Sequence, residues 1–164
     1  MLKLKHELRR SLQYFIKKMP WTYQDRIYYF RKFRRLPNLH EPKVFNEKVL
    51  YRKFIHGDYQ LYARLSDKFS VREFIAEKIG NAYLIPLLHD TTDPTTLNNL
   101  TRWKGTVIKP NHASNMVEIV LEEPSALRKQ QIIHNCYTWL KTDFASEARE
   151  IHYRYIKPRI LVEQ

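Results

Sequence analysis

Apolar positions in the first 80 residues recur every three or four residues, which is the period of an amphipathic helix. In the first helical pattern these positions are Leu4, Leu8, Leu12, Phe15, Ile16 and Met19. In the second, Ile27, Phe30 and Phe33 are predicted on one face, opposite Arg and Lys. The pattern, interrupted by Pro20, Pro37 and Gly57, predicts helices at Leu2–Met19, Tyr23–Leu36, Phe45–Ile55, Tyr59–Leu65 and Asp67–Ile79.

After Gly80 the pattern changes to short apolar runs separated by polar turns and two further helical stretches. The runs predict strands at Tyr83–Leu88, Thr106–Lys109, Met116–Leu121 and Arg159–Glu163. The helical stretches are Pro124–Lys141 and Phe144–Tyr155, and Thr91–Asn99 is predicted as a polar turn region with about one helical turn. Helices followed by mixed strands and helices indicate an α+β or mixed α/β fold.

Positive charge is concentrated at the start of the chain. The 164 residues have a formal net charge of +12, and residues 1–56 contribute +11 of it, from 15 Lys or Arg and 4 Asp or Glu. We therefore predict a basic helical arm at residues 1–56 and a separate domain at residues 57–164. An arm of this kind suits phosphate, anionic lipid or an acidic polymer.

The single cysteine, Cys136, rules out an intrachain disulfide and a multi-cysteine metal site, and its helical context predicts a buried reduced thiol. No apolar run has the length of a membrane span, and Met1 to Pro20 lacks the apolar core of a secretory signal. These features predict a cytoplasmic protein, with attachment to a membrane surface left open.

Residues 106–115 combine a strand ending in Lys109 with a turn of small polar residues and a new strand from Met116. Such a turn can direct backbone N–H groups at phosphate oxygens while the ammonium group adds a positive charge. An exposed hairpin with an ordinary polar Lys explains the same pattern. The role of Lys68 also has two interpretations. A cation in the first turn of the predicted helix from Asp67 either contacts an anionic ligand or simply lies in solvent.

Several stretches in this order resemble the ATP-grasp proteins of the teichuronopeptide-biosynthesis (TupA-like) type, from about Pro42 to the last residue. The stretches are Phe45-Asn46-Glu47-Lys48, Ser66-Asp67-Lys68 with Val71-Arg72, Ile79-Gly80 with Tyr83-Leu84-Ile85-Pro86, Ile108-Lys109-Pro110-Asn111-His112, and Pro158-Arg159 leading to Glu163. The resemblance implies that residues 57–164 form the N-terminal lobe of an ATP-grasp fold with a small, mainly antiparallel sheet.

The resemblance also implies a nucleotide site and a reaction. Lys68 and Lys109 would contact ATP phosphates, and Asn111, His112 and Ser114 would belong to the loop that covers them. Leu161, Val162 and Glu163 would form the hinge strand that meets the adenine. The family chemistry is ATP-dependent ligation of a carboxylate to an amine, here on a polysaccharide or a lipid-linked sugar precursor for the cell surface.

Two departures from the family pattern qualify this prediction. The covering loop has Ala113 and Asn115 where glycine is expected. The chain also ends at the predicted hinge, whereas the Mg²⁺ ligands of the family follow it in the second lobe. We therefore predict a truncated lobe with no metal ligands of its own, in which Mg²⁺ acts only if a second lobe is supplied. Whether the chain is itself an enzyme, and which residues would be catalytic, stays open.

Other functions remain compatible with the sequence. The chain could be a glycosyltransferase of a polysaccharide pathway, or a non-catalytic basic module that binds an anionic membrane or nucleic acid. Residues 1–37, with Trp21 and several Tyr, suit the inner-membrane surface. Nucleic acid is the less favoured partner, because no helix-turn-helix or base-stacking motif accompanies the charge.

Overall fold

The computed structural model describes residues 2–164, except for the side chains of residues 2–5, 8 and 9. Met1, where the predicted arm begins, and the side chains of the predicted apolar positions Leu4 and Leu8 therefore lie outside the described part. The chain divides into two compact units, residues 1–57 and residues 58–164.

The first unit is helical. Its helices are α1 (Leu2–Lys18), α2 (Trp21–Phe33) and α3 (Phe45–Phe54). Pro20 precedes α2, whose last turn ends at Arg34 in a left-handed conformation with φ of 57°. No helix among the described residues is both long enough and apolar enough to cross a membrane.

A buried carboxylate, that of Glu47, is the centre of a hydrogen-bond network inside the first unit. Glu47, almost fully buried on α3, accepts hydrogen bonds from the Tyr29 hydroxyl at 3.2 Å and the Arg35 guanidinium at 2.5 Å. The backbone N–H groups of Asn38, Lys43 and Val44 also donate to it. The Arg35 hydrogen bond is the main reason why the pKa of Glu47 falls from its ordinary 4.5 to about 2.

The second unit is built on four strands that form one antiparallel sheet. The strands are β1 (Leu87–Thr91), β2 (Thr106–Pro110), β3 (Glu118–Val120) and β4 (Ile160–Glu163), in the order β1-β4-β2-β3. β4 pairs antiparallel with both β1 and β2, so the last strand in the chain lies inside the sheet. The predicted α+β class with a small antiparallel sheet is confirmed.

The rest of the second unit is mainly helical. Its helices are α4 (Tyr59–Ser66), α5 (Val71–Ile79), α6 (Ala126–Leu140) and α7 (Phe144–Ala148), with 3₁₀ helices at Asn81–Tyr83, Pro94–Asn99 and Ile151–Tyr155. One face of the sheet forms the apolar core, and the opposite face carries Lys109. The core residues are Leu97, Trp103, Ile108, Val120, Ile132, Cys136, Ile160 and Val162.

Three predicted elements differ from the structure. The helix predicted from Asp67 begins at Val71, because Asp67 ends α4 and its carboxylate accepts a hydrogen bond from Phe69 N–H. The strand predicted at Tyr83–Leu88 lies further along, at Leu87–Thr91, after a 3₁₀ turn. The helix predicted at Phe144–Tyr155 is broken at Arg149, which has a left-handed φ of 55°.

Candidate functional site

Lys109 lies on β2, on the face of the sheet opposite the apolar core. Its neighbours Ile108 and Pro110 point into the interior, and the alternation of side chains along a strand leaves Lys109 partly exposed. Its ammonium Nζ contacts the Glu163 carboxylate at 2.5 Å. β2 is an interior strand, paired with both β3 and β4, so Lys109 lies within the sheet near the end of its strand.

Glu163, at the end of β4, is buried between two cations. In addition to Lys109, the guanidinium of Arg72 on α5 lies 3.4 Å from the Glu163 carboxylate. Arg72 also donates a 2.7 Å hydrogen bond to the carbonyl oxygen of Ile85. The sequence analysis did not include Arg72 among the site residues, although it belongs to one of the stretches that carry the family resemblance.

Lys68 lies in the turn between α4 and α5 and is attached to the loop that follows β2. Its backbone N–H donates to the Asn111 carbonyl at 3.2 Å, and its ammonium group contacts the carbonyls of Asn111 and Ala113. Burial lowers the pKa of Lys68, and the positive charge of Lys109 lowers it further. The two lysines, 41 positions apart in the sequence, are therefore close enough to repel each other.

Asn111 fixes the position of this loop. Its buried amide nitrogen donates to the Asp67 carboxylate at 2.8 Å and to the Lys157 carbonyl at 3.0 Å. Its amide oxygen accepts the N–H of Arg159 at 2.7 Å. Asn111 thus joins the Lys68 turn, the end of β2 and the start of β4, and its side chain is occupied by internal hydrogen bonds.

The remaining loop residues divide into a buried and an exposed part. His112 is buried, and burial is the main factor that lowers its pKa, so the neutral imidazole is favoured. Its Nδ1 lies 3.3 Å from the Asn111 amide oxygen, whereas Nε2 has no hydrogen-bond partner among the described residues. Ser114 is exposed, and Asn115 beside it has a left-handed φ of 62°.

Asn115 occupies one of the two positions where the family pattern has glycine, and its left-handed φ gives a physical reason for glycine there. A left-handed φ is easiest for glycine, and asparagine is one of the few other residues that adopt it readily. Ala113, at the other position, is buried and has a φ outside this region. The loop therefore needs special backbone freedom at one of the two positions.

An apolar row lies beside the charged residues on the same face of the sheet. The strand register pairs Val107 with Ile119 and with Glu163, and Glu163 with Leu87. Side chains of directly paired residues share a face, so Leu87 and Val107 flank Glu163, and Ile119 lies beyond Val107. Ile119 is 63% exposed. Sequence analysis missed this row, although the alternation in the two strands of the hairpin could have revealed it.

The other two predicted hinge residues lie in the interior of the sheet. Leu161 and Val162 are fully buried, and Val162 belongs to the apolar core. Because β4 pairs on both sides, the backbone of these residues takes part in sheet hydrogen bonds. Among the three predicted hinge residues, Glu163 forms an ion pair with Lys109, and Leu161 is paired directly with Lys109 in the strand register.

The arrangement suits a polyphosphate better than a metal ion. Two ammonium groups and a loop of small residues can neutralise and bind phosphate oxygens. The described residues contain no group of three or more His, Cys, Asp or Glu that could hold a metal ion. The carboxylate at the centre, Glu163, is already paired with two cations.

Comparison with protein families gives one match. A family model described as TupA-like ATPgrasp matches residues 47–164, which is more than half of the chain. Searches of curated proteins and of solved structures found no match.

Proposed function

The chain belongs to the TupA-like ATP-grasp family, and from this premise we propose that residues 57–164 form one lobe of an ATP site whose phosphates contact Lys68 and Lys109. Membership of an ATP-grasp family implies ATP as the nucleotide. The observation that carries the proposal is that both ammonium groups are held in place near one another. Glu163 holds that of Lys109, and the carbonyls of the loop that follows β2 hold that of Lys68.

The two lysines have complementary functions in this proposal. Lys109 extends from a rigid interior strand, and Glu163 with Arg72 behind it orients the ammonium group. Lys68 is positioned by the loop that Asn111 fixes. Cations held in advance at the phosphate oxygens stabilise a transferring phosphoryl group without reorganisation during the reaction.

The apolar row provides a surface for the adenine. Val107 and Ile119 lie on the face of Lys109, and a planar base can cover these partly exposed side chains. Glu163 lies between Leu87 and Val107 in the strand register, and its carboxylate can accept a hydrogen bond from an exocyclic amino group.

In the reaction we propose, a carboxylate oxygen attacks the γ-phosphorus of ATP, which forms an acyl phosphate and releases ADP. An amine then attacks the acyl carbonyl, which forms the amide bond and releases inorganic phosphate and a proton. Mg²⁺ would neutralise the phosphates, and its ligands would come from a second lobe. The substrate would be a cell-surface polysaccharide or its lipid-linked sugar precursor. In this proposal, the role of the lobe formed by residues 57–164 is to bind and orient ATP.

Calorimetry of ATP binding tests the proposal. We compare the wild type with Lys68→Met and Lys109→Met, and use Lys104→Met as the matched control, since Lys104 is exposed and paired with Glu122. Loss of a charge-assisted hydrogen bond costs about 1.5–3 kcal/mol, so each site variant should bind at least about tenfold more weakly. Binding should change little with Mg²⁺.

Circular dichroism of each variant separates loss of the site from loss of the fold. Equal affinity for ATP in the wild type and both folded site variants would contradict the proposal, as would absence of ATP binding by the folded wild type. Weakening by Lys104→Met to the same degree would show that general positive charge, and not this site, attracts the nucleotide.

A further inference from the structure

The first unit exposes apolar side chains that a helical pattern would normally bury. Leu12 and Phe15 on α1 and Met19 directly after it follow one another at steps of three and four residues, and Leu12 and Phe15 are 52% and 63% exposed. Ile16, on the adjoining side of the same helix, is buried. The described half of α1 therefore presents an apolar stripe to the surroundings.

Helix α2 also exposes apolar side chains. Tyr23 and Phe30, two turns apart, are 58% and 46% exposed. The side of α2 that is buried carries Asp25, whose carboxylate contacts Lys53 at 2.6 Å, and Tyr29, which bonds to Glu47. The polar groups of α2 are thus used inside the unit, and the apolar face predicted from Ile27, Phe30 and Phe33 is not its buried side.

The same two helices also carry exposed basic side chains. On α1 and α2 the exposed cations include Arg10, Lys17, Lys18, Arg26 and Arg31. They belong to a segment with a net charge of +11. Lys18 also lies over the ring of Tyr14 at 4.5 Å, which keeps its charge beside the aromatic surface.

Charge and apolar exposure together distinguish between classes of partner. A nucleic acid or another acidic polymer would be attracted by the cations, but its phosphates would leave Leu12, Phe15 and Met19 in water. An apolar protein surface would cover those residues without any need for so many cations. An anionic bilayer satisfies both, because cations meet the lipid phosphates while apolar and aromatic side chains enter the boundary with the acyl chains.

We propose that the exposed apolar side chains of the first unit, which are Leu12, Phe15, Met19, Tyr23 and Phe30, bind the surface of an anionic lipid bilayer. The helices lie in the headgroup region and do not cross the membrane, and the surrounding Lys and Arg side chains contact lipid phosphates. This interaction is separate from the ATP site in the second unit and does not depend on it.

Vesicle co-sedimentation of the full chain tests this inference. The vesicles contain phosphatidylcholine alone or phosphatidylcholine with about one third phosphatidylglycerol, a mixture that gives a surface potential able to attract Lys and Arg. The variants are Leu12→Gln with Phe15→Gln, and the control is Leu127→Gln with Leu121→Gln, which removes two similarly exposed apolar residues from the second unit.

The wild type and the control pair should bind the anionic vesicles, and binding should weaken as salt is raised. The Leu12→Gln and Phe15→Gln pair should bind at least about tenfold more weakly, since it withdraws two apolar side chains from the interface. All proteins should bind neutral vesicles poorly.

Three results would overturn the inference. They are unchanged vesicle binding by the Leu12 and Phe15 pair, equal binding to neutral and anionic vesicles, and tight binding to RNA with none to vesicles. ATP affinity of the same samples gives an independent reading, so failure at the membrane is distinguishable from failure of the ATP site.

Discussion

Replacing Asn111 by Ala should destabilise the second unit strongly, although the substitution removes few atoms. The amide makes hydrogen bonds to the Asp67 carboxylate, the Lys157 carbonyl and the Arg159 N–H, and its oxygen also lies within hydrogen-bond distance of His112 Nδ1. The side chain is 1% exposed, so water cannot easily take the place of the amide. Each partner left unsatisfied costs about 1–3 kcal/mol, and we expect a total loss of about 3 kcal/mol or more.

Urea denaturation followed by tryptophan fluorescence and circular dichroism measures this loss. The buried Trp103 in the core of the second unit serves as a local reporter. Asn98→Ala is the matched control, because the exposed Asn98 amide makes one local hydrogen bond, to the Thr95 carbonyl. The control should lose less than about 1 kcal/mol. A loss in Asn111→Ala no larger than in the control would refute the assignment of Asn111 as the link between the three segments.

Asn111→Asp sharpens the same prediction, because it changes the charge and almost preserves the shape. A second carboxylate would then face the Asp67 carboxylate across the 2.8 Å hydrogen bond that the amide now makes. Repulsion raises the pKa of the introduced carboxyl in the folded state above its unfolded value. The destabilisation should therefore be greatest at neutral pH and should shrink on acidification. A destabilisation that does not change with pH would contradict the proposed contact.

Two further predictions concern buried groups outside the ATP site. Because the pKa of Glu47 is lowered to about 2, its contribution to stability is complete above its ordinary value of 4.5 and is lost as the pH falls toward 2. Between about pH 6 and about pH 3, the urea midpoint of the wild type should fall more than that of Glu47→Gln; parallel curves would contradict this. Burial raises the pKa of Cys136 to about 12, so iodoacetamide should modify it at about pH 8 only after unfolding. Rapid modification of the folded protein would show that the thiol is accessible.

Most helices of this protein could be predicted from the sequence, because their apolar periodicity and their Pro and Gly boundaries are local signals. The helix over Tyr59–Ser66 and the long helix ending at Leu140 illustrate this. The break at Arg149 could not be predicted, because arginine gives no local signal for a left-handed conformation. The burial of the polar side of α2 could not be predicted either, because it depends on partners such as Glu47 and Lys53, which lie far from α2 in the sequence.

The family resemblance predicts which segments form one nucleotide site, but the contacts between these segments could not be predicted. The stretches around Lys68, Lys109 and Glu163 were identifiable from the family pattern, and the structure brings these three residues together. Their contacts depend on strand order, since β4 enters the sheet between β1 and β2. Arg72 and the apolar row beside Glu163 follow from that order and from the strand register, which the sequence pattern alone does not determine.

The central claim is that ATP phosphates lie on Lys68 and Lys109, and lysine footprinting tests it most directly. The folded protein is acetylated with and without ATP, and the modification of each lysine is measured by mass spectrometry. ATP should protect Lys68 and Lys109 and leave the exposed Lys104 and the partly exposed Lys129 unchanged. Protection confined to Lys17 and Lys18 of the first unit, or ATP binding with no protection of Lys68 or Lys109, would contradict this claim.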